Sequence, residues 1–481
     1  MKIILTSIFS LTIGFSSLAQ SKNHKSADAL KNESATTIQA GYDAYKTIAL
    51  NIWDYAELGY KENKSSTLLQ TTLKDNGFTV EAGVAGMPTA FVATYGSGSP
   101  VIGILAEYDA LPGISQDNSP TKTPIANKTS GHACGHHLFG TGSVAAGIAI
   151  KKLLETGKIK GTIKVFGCPA EEGGSGKVYM VREGLFNNVD VAIHWHPGSS
   201  NAVWYSGALA NKSAKFRFHG IASHAAVSPE KGRSALDAIE AMNNMVNMMR
   251  EHIPQETRIH YVITDGGKAP NVVPEFAEVY YYVRHPDKET AVSIFDRIAK
   301  AAEGAALGTE TKMDYEIIGG THDLLINKTL AQNMQNNLEK VGGVLYTTEE
   351  IVFAEKIQTS FLAKSESIDF AAKVKPLQFK KDQGSTDVGD VSYSIPTVGV
   401  GTATWVPGTS AHSWQAVACG GTDIGIKGMM VAAKTMAFTA IDLFTNPELI
   451  KKAKEEFIET KGDYKYKALL GDRKPALNYR D

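Results

Sequence analysis

An apolar run that ends in an acidic turn decides the fold: Gly161-Thr-Ile-Lys-Val-Phe-Gly-Cys-Pro-Ala-Glu-Glu-Gly173. Its first part has the composition of a buried strand, and Glu171 and Glu172 follow shortly after it. Two more Gly-rich turns carry thiol or imidazole side chains, namely Gly131-His-Ala-Cys-Gly-His-His137 and Ala192-Ile-His-Trp-His-Pro-Gly198. Because the carboxyl ends of adjacent parallel strands meet at one edge of an α/β sheet, we expect these turns to form a site there.

The order of strand-like and helix-like segments predicts two domains, one inserted in the other. The chain has 481 residues, too many for one ordinary core. Strands and helices alternate over residues 36–210 and 322–446, which predicts an α/β domain with a mostly parallel sheet. Residues 211–321 follow the order βαββαβ of a ferredoxin-like α+β sandwich. Residues 21 to about 35 are predicted to be loose, and the charged residues 447–481 to form a helical extension.

The first 20 residues have the pattern of a secretory signal peptide. Lys2 is followed by an apolar stretch, and Ser17-Leu-Ala19 supplies small residues for cleavage before Gln20. The alternative, a membrane anchor, needs a longer apolar run of about 20 residues. We therefore predict a signal peptide at residues 1–19, a periplasmic or secreted protein, and no membrane attachment after cleavage. No other segment is predicted to cross a bilayer.

The charge balance indicates which class of partner the protein binds, and the cysteine count indicates how its thiols are used. The 49 Lys and Arg residues balance the 50 Asp and Glu residues, so no basic surplus recruits nucleic acid, and a small molecule is the predicted partner. Three cysteines are an odd number, which leaves at least one thiol outside any disulfide. We expect Cys134 to bind metal, and Cys168 and Cys419 to be buried apolar side chains.

Thiolate, imidazole and carboxylate groups are the side chains that hold zinc or manganese. Cys134 and His136 can converge on one ion because the intervening Gly135 permits turn-like or extended backbone. Neighbours in an extended loop point to opposite sides, so one of Glu171 and Glu172 can bind metal while the other faces a bound water. This mixed set favours a metallohydrolase centre over a structural zinc site, which is usually closed and rich in cysteine.

The histidines are harder to assign from spacing. His194 and His196 fall on the same side of a strand, so alternation does not separate them, and we choose His196 because a rigid proline follows it. His132 and His137 are expected to support the fold or the ligands rather than to bind the ion. His412 lies far along the chain, and its assignment depends on a family resemblance.

Eight motifs follow one another between about residue 40 and residue 445. They are Leu105-Ala-Glu-Tyr-Asp-Ala-Leu-Pro112, Gly131-His-Ala-Cys-Gly-His136, Pro169-Ala-Glu-Glu-Gly173, Trp195-His-Pro197, Gly220-Ile-Ala-Ser-His-Ala225, Asn271-Val-Val-Pro274, Gly384-Ser-Thr-Asp-Val-Gly-Asp-Val-Ser392 and Ala411-His-Ser-Trp-Gln415. In this order they resemble the dinuclear metal amidohydrolases of the aminoacylase and metal carboxypeptidase superfamily. Within that superfamily they look most like the aminobenzoyl-glutamate hydrolases.

The resemblance implies an activity and a metal centre. The chain would hydrolyse the amide bond of an N-acyl amino acid or dipeptide-like substrate of the aminobenzoyl-glutamate type. It would use a water activated by two divalent metal ions, Mn²⁺ or Zn²⁺. The implied ligands are Cys134, His136, Glu172, His196 and His412.

The resemblance also implies roles around the metal ions. Glu171 would be the general base. The inserted domain would serve as a dimerisation and lid domain of a homodimer, from which His224 reaches the partner subunit's site and polarises the substrate carbonyl. Asp109 would orient a ligand histidine. Asn271 and Arg284 would hold the backbone and the carboxylate of the substrate.

Two alternatives stand beside this prediction. An exported dipeptidase, carboxypeptidase or N-acyl-amino-acid deacylase would use the same centre, and the sequence does not separate these because loops build the specificity pocket. A non-catalytic, exported solute-binding protein would also account for a signal peptide and two domains. It gives no reason for Glu171 and Glu172 beside a cluster of cysteine and histidine.

Overall fold

The computed structural model describes residues 27–363, 365–381 and 383–480. The predicted signal peptide at residues 1–19 lies outside the described residues, and so does the first part of the stretch that follows it.

A helix replaces the loose segment predicted before Ala35. Residues 27–40 are helical, and we name this helix α1. Although the helix is polar in composition, its apolar residues Leu30 and Ile38 are spaced so that they lie on one face, and this face packs into the core. The charged Lys31 is also buried, where its Nζ lies 2.6 Å from Oδ1 of Asp442. The prediction is wrong here because tertiary packing and a buried ion pair stabilise a helix of low average hydrophobicity.

The first part of the α/β domain alternates helices and strands. In chain order its elements are α2 (Tyr42–Tyr55), α3 (Asn63–Asp75), β1 (Thr79–Ala82), β2 (Phe91–Ser97), β3 (Val101–Ala106), β4 (Leu111–Pro112), β5 (Ser130–Gly131), α4 (His136–Glu155), β6 (Gly161–Gly167), the short turn α5 (Glu171–Gly174), α6 (Gly176–Arg182), β7 (Val191–Gly198), β8 (Ala202–Val203) and β9 (Ser206–Gly207).

The inserted domain has the predicted order βαββαβ. Its elements are β10 (Ala210–His219), α7 (Ala235–Met249), β11 (Arg258–Asp265), β12 (Phe276–His285), α8 (Lys288–Gly308) and β13 (Lys312–Thr321). The four strands form an antiparallel sheet in the order β11-β12-β10-β13. Alternate residues of β12 face a core that α7 and α8 cover, including Val279 and Tyr281. Strand β11 is left at the edge of the sheet.

The α/β domain resumes after β13. Its remaining elements are α9 (Lys328–Val341), α10 (Thr348–Gln358), β14 (Lys380–Lys381), α11 (Val388–Ser392), β15 (Thr397–Ala403), α12 (Trp414–Gly420), α13 (Asp423–Thr445) and α14 (Pro447–Lys461). The C-terminal extension is helical only as far as Lys461, and residues 462–480 run on as turns and irregular segments.

The main sheet has seven strands in the order β1-β2-β6-β3-β7-β15-β8. The four central strands β6, β3, β7 and β15 are parallel, whereas β1, β2 and β8 pair antiparallel at the two edges. The predicted α/β class is therefore confirmed, with a mixed sheet whose centre is parallel. The parallel centre matters for function because the carboxyl ends of its strands lie at one edge.

Helix α13 is long and apolar enough to cross a membrane, contrary to the prediction that no segment after the signal peptide has this character. Its position explains the composition. In its most apolar window 89% of the residues are buried, and side chains such as Met429 and Met436 belong to the same core as α4 and β15. The helix is apolar all round because protein surrounds it on all sides.

Candidate metal centre

The turn before α4 places Cys134 and His136 beside one another. Gly135 has a φ of +78°, and a Cβ atom at this position would lie 2.7 Å from Cβ of Pro197. Only glycine accommodates both the left-handed backbone and this close approach. His136 is the first residue of α4, and its Nδ1 lies 2.8 Å from Oδ1 of Asp109, which follows β3. The carboxylate accepts the Nδ1–H and so fixes the orientation of the ring.

The surroundings of the two rings identify His196, and not His194, as the candidate metal ligand. Nε2 of His196 lies 3.4 Å from Sγ of Cys134, and its Nδ1–H donates to the carbonyl oxygen of Pro197 at 2.7 Å. Burial lowers the pKa of His196 to about 4, so its Nε2 carries a free lone pair towards the thiol. His194 lies two residues earlier, against Gly399 and the Trp204 ring, and neither of its nitrogens has a hydrogen-bond partner among the described residues.

His132 and His137 contribute to packing. Their rings lie 4.8 Å apart, and each Nε2 lies 3.0 Å from a backbone carbonyl, that of Ile52 for His132 and that of Gly420 for His137. Burial lowers the pKa of His132 well below its usual range and that of His137 to about 3, so both rings are neutral. Neither histidine belongs to a group that could hold a metal within the described chain.

The acidic turn after β6 brings Glu172 to His412. Oε1 of Glu172 lies 3.0 Å from Nε2 of His412, and the backbone N–H of Glu172 donates to Oδ2 of Asp109 at 2.9 Å. His412 has a φ of +58°, and its N–H donates to the carbonyl of Ala133 at 2.9 Å. A loop almost 280 residues further along the chain is thereby held directly against Cys134.

Three overlapping groups of side chains could each hold a cation. Within each group the candidate ligand atoms lie within 4.8 Å of one another. The groups are Cys134 with His136 and His196, Cys134 with Glu172 and His412, and Glu107 with His136 and Glu171. The structure thus brings together the five predicted ligands, and Glu171 lies beside them.

The donor atoms fit a divalent metal. Nε2 of His136 lies 3.2 Å from Oε2 of Glu107 without the geometry of a hydrogen bond, and Oε1 of Glu172 has the same relation to His412. Buried polar atoms that face one another without bonding require another partner, and a cation between them would supply it. A thiol, three imidazoles and a carboxylate form a donor set that suits zinc and manganese.

The two glutamates of the turn have opposite electrostatic environments. Burial opposes ionisation of Glu172, but the adjacent imidazoles of His412 and His136 outweigh it and lower the pKa to about 2. Burial, with Glu107 and Glu172 nearby, raises the pKa of Glu171 well above the usual carboxyl range. Burial also raises the pKa of the Cys134 thiol, so a neighbouring metal ion would be needed to hold it as a thiolate.

Sequence reasoning missed a buried ion cluster beneath the turn. Nζ of Lys177 lies 2.6 Å from Oε1 of Glu107 and 2.7 Å from Oδ1 of Asp387, and all three side chains are buried. Burial opposes the charge of Lys177, but Asp387 and Glu107 outweigh it and raise its pKa well above the usual value. Glu107 and Asp387 occur in two of the quoted motifs, which was the available signal. Nothing in the spacing singles out Lys177.

A cleft of about 580 Å³ opens beside these residues, between the α/β domain and the inserted domain. Cys134, Glu171, Glu172, His196 and His412 line it on one side. Arg284 lines it from the inserted domain, where its guanidinium stacks on the Tyr282 ring at 5.6 Å. Arg480, from the C-terminal extension, also lines the cleft and was not singled out from the sequence.

His224 and Asn271 lie elsewhere in the chain. Both are exposed on adjoining loops of the inserted domain, where the N–H of Ala225 donates to the Asn271 carbonyl at 3.0 Å. Nδ1 of His224 accepts from the backbone N–H groups of Ala226 and Val227, each at 3.2 Å. Neither residue is among the side chains that line the cleft of its own chain.

The chain is similar to known proteins in both sequence and fold. Residues 209–310 match the family model of the peptidase dimerisation domain of M20 proteins. Over 446 residues the chain is 41% identical to one of the subunits of the p-aminobenzoyl-glutamate hydrolase of Escherichia coli K12, an alignment that covers 87% of this chain and 93% of that protein. The chain belongs to the M20 family of metal-dependent amide hydrolases and peptidases.

Other M20 proteins share the sequence or the fold. The Xaa-Arg dipeptidase of Mus musculus is 28% identical, over 89% of this chain and 92% of that protein. The solved structure of a dinuclear metal-binding M20 peptidase from Bacillus subtilis has a TM-score of 0.56 and 18% identity, over 84% of this chain and 99% of that one.

Membership of the M20 family confirms three predictions. The protein is a metal-dependent hydrolase, it has the predicted fold with an inserted dimerisation domain, and it is related to the aminobenzoyl-glutamate hydrolases. Because the relatives are named as hydrolases and dipeptidases, a non-catalytic solute-binding protein is no longer a competing explanation.

Replacement of Asp109 should weaken metal binding. In Asp109→Asn the His136 ring loses its charged acceptor, and we expect the metal affinity to fall about 10- to 100-fold. Competition with a chromophoric chelator measures this affinity. Glu455→Gln, which changes an exposed acid in α14, is the control and should bind metal as the unchanged protein does. An unchanged affinity in Asp109→Asn would contradict the orienting role.

Proposed function

We propose that this M20 enzyme hydrolyses the amide bond of an N-acyl amino acid or dipeptide-like substrate of the aminobenzoyl-glutamate type. The observation that carries the proposal is the convergence of five metal-ligating side chains beside one cleft, with a half-buried glutamate next to them. The name of the Escherichia coli relative supports acyl-glutamates as the substrate class.

Two divalent ions, Mn²⁺ or Zn²⁺, would be held by Cys134, His136, Glu172, His196 and His412. Two overlapping groups that share Cys134 support this number. The Bacillus subtilis neighbour, described as a dinuclear metal-binding peptidase, supports it as well. When bound, such ions polarise the scissile carbonyl and lower the pKa of a water molecule.

Glu171 is the proposed general base. It would take a proton from the attacking water and deliver it to the leaving amine. The raised pKa of Glu171 supports this role, since a carboxyl group that retains a proton more readily can carry it between two steps. Glu107 does not compete for the role, because its Oε1 is paired with Lys177 at 2.6 Å.

A dipeptidase or carboxypeptidase with the same centre is the second candidate, and the related Xaa-Arg dipeptidase favours it. The charge of the cleft favours the acyl-glutamate class instead. Arg284 and Arg480 both line the cleft, and guanidinium groups attract a substrate carboxylate and repel a cationic side chain. Arg284 is the proposed partner of the substrate's carboxylate.

A homodimer is the proposed assembly, and the inserted domain would form its interface. Edge strand β11 exposes Tyr261, Val262 and Ile263, with exposed fractions of 37%, 56% and 40%. Apolar side chains on an open sheet edge are usually covered by a partner. The same domain carries His224 and Asn271, which would reach the partner's cleft. Two of the Escherichia coli relatives are named as different subunits of one hydrolase, so a second type of polypeptide is the alternative partner.

Metal content and a substrate panel test the proposed function. The purified protein should contain about two transition-metal ions per chain, as expected for a two-metal hydrolase. It should hydrolyse aminobenzoyl-glutamate in preference to hippurate and to neutral or basic dipeptides. Glu171→Gln should retain the metal, measured by mass spectrometry, and lose about 10²-fold or more of its turnover because proton transfer fails.

Each possible result of that test leads to a different conclusion. A protein that binds no transition metal after reconstitution would contradict the metal centre. Turnover of dipeptides alone would support the second candidate. Loss of metal together with turnover in Glu171→Gln would mean that Glu171, and not Glu172, is the ligand.

If His224 acts in the partner subunit's site, mixing two inactive variants should restore activity. His224→Ala should bind metal normally and lose about 10²-fold in turnover, because a donor to the oxyanion is removed. In a mixture of His224→Ala and Glu171→Gln chains, each heterodimer has one site with both residues intact. Random pairing should then restore about a quarter of the wild-type activity. Full activity of His224→Ala alone, or no recovery on mixing, would exclude this role.

Export is proposed from the pattern of residues 1–20. The apolar stretch after Lys2 and the small residues before Gln20 support cleavage by a signal peptidase. Intact-mass measurement of the protein from a native-like bacterial host should therefore give a chain that begins at Gln20. A chain that retains Met1 and remains in the cytoplasmic fraction would contradict export.

A further inference from the structure

The last residues of the described chain cross from the inserted domain to the metal centre. We name residues 462–480 the C-terminal strap. Nη1 of Arg473 donates to the carbonyl of Ile318 in β13 at 2.8 Å, and its Nη2 lies 3.1 Å from Oε1 of Glu316. The Tyr466 hydroxyl donates to Oδ1 of Asp390, at 2.8 Å, in the α/β domain. The strap is therefore anchored to both domains before it reaches the cleft.

The end of the strap holds the acidic turn. The Tyr479 hydroxyl donates to the carbonyl of Glu172 at 3.0 Å, and Nη2 of Arg480 donates to the same oxygen at 2.6 Å. The Tyr479 ring packs edge-on against Tyr60 at 5.6 Å. A Cβ atom at Gly59 would lie only 2.2 Å from the Tyr479 hydroxyl, so this glycine leaves the space in which the tyrosine sits.

Arg480 has more donors than these contacts use. Its Nε is buried and has no hydrogen-bond partner in the described chain, although the residue lines the cleft. A guanidinium has five N–H donors, and a buried donor without an acceptor is costly. An acceptor supplied by a bound substrate would satisfy it.

The acids of the cleft do not neutralise its arginines. Asp387 is paired with Lys177, and Glu172 faces His412. Within the described residues neither Arg284 nor Arg480 makes an ion pair with a carboxylate. Two unpaired cations in one cleft match a ligand with two negative charges.

We propose that Arg480 binds a second carboxylate of the substrate, so that the preferred substrate is dianionic. Arg284 takes the α-carboxylate and Arg480 takes the side-chain carboxylate. The inference rests on the proposed amide hydrolysis and adds to it a specificity-determining residue from the C-terminal strap. The guanidinium donates to the Glu172 carbonyl and lies 4.8 Å from the centre of the Tyr479 ring. Because it is already oriented by these contacts, it can bind a carboxylate with little further loss of side-chain freedom.

Two amides that differ by one charge test this assignment. The probes are N-(4-aminobenzoyl)-glutamate and N-(4-aminobenzoyl)-glutamine, which share the acyl group and the α-carboxylate. In Arg480→Gln the ratio of kcat/KM for glutamate over glutamine should fall about tenfold or more, mainly through KM, because a charged hydrogen bond to the side-chain carboxylate is lost. Arg480→Lys should recover part of the ratio, since lysine keeps the positive charge but lacks the planar pair of N–H donors of a guanidinium.

A matched variant separates substrate binding from support of the turn. Tyr479→Phe removes only the hydroxyl contact with the Glu172 carbonyl, and any effect should fall on both amides equally. An equal loss for both amides in Arg480→Gln would mean that Arg480 only positions the turn. No loss for either amide would exclude any role in the cleft.

A binding measurement keeps this inference distinct from the proposed function. In the metal-loaded Glu171→Gln background, calorimetry should show the glutamate compound binding more tightly than the glutamine compound. Adding Arg480→Gln should abolish that preference. If the wild-type enzyme hydrolyses neither amide, the proposed function fails, but this preference still decides whether Arg480 binds a carboxylate. Equal binding of both amides before the second substitution would overturn the inference.

Discussion

The carboxylate of Asp109 is the contact on which the metal centre depends. Oδ1 lies 2.8 Å from the His136 ring, and Oδ2 accepts the backbone N–H of Glu172 at 2.9 Å. One side chain shortly after β3 therefore orients the first residue of α4 and fixes the turn after β6. The turn before α4 and the turn after β6 are both irregular, and isolated backbone hydrogen bonds, such as Gly135 N–H to His132 and Gly174 N–H to Ala170, leave room for a further constraint. A buried acid between them supplies that constraint.

Charge balance is the second constraint on the site. Glu107 and Asp387 are buried on either side of Lys177, and their attraction offsets the cost of removing three charges from water. The same pairing leaves Glu171 as a half-buried acid beside Glu107, and the partial loss of water together with this proximity raises its pKa. The thiol of Cys134 is buried as well, among histidines and carboxylates. Within the described residues this centre thus has more buried acidic groups than its one lysine neutralises, as expected for an M20 metal site.

The two domains meet at the cleft through long-range contacts. Arg284 comes from β12 of the inserted domain, whereas the predicted metal ligands all belong to the α/β domain, where His196 lies within β7. The C-terminal strap joins the two, since Arg473 bonds to β13 and Tyr479 bonds to the acidic turn. This connection makes the strap part of the site rather than an appendage.

Local sequence determined much of the fold and many of the candidate residues. Strand and helix periods gave the α/β class and the inserted βαββαβ unit, because those patterns reflect which faces are buried. Motif order pointed to the metal amidohydrolases related to aminoacylase and to residues that the structure places together, including Cys134, Glu172 and the distant His412. Such features are local or carried by short motifs, so they are visible without coordinates.

Only the tertiary structure decided the rest. It distinguished His196 from His194, because two residues on the same side of one strand differ only in what the neighbouring turn brings near them. It made residues 27–40 a helix and buried α13 in the core, since both outcomes depend on partners far along the chain. It also revealed Lys177 beneath the acidic turn and Arg480 in the cleft. The partners of these charged side chains lie hundreds of residues away in the sequence. Such contacts produce no periodic pattern along the chain, so the sequence alone does not show them.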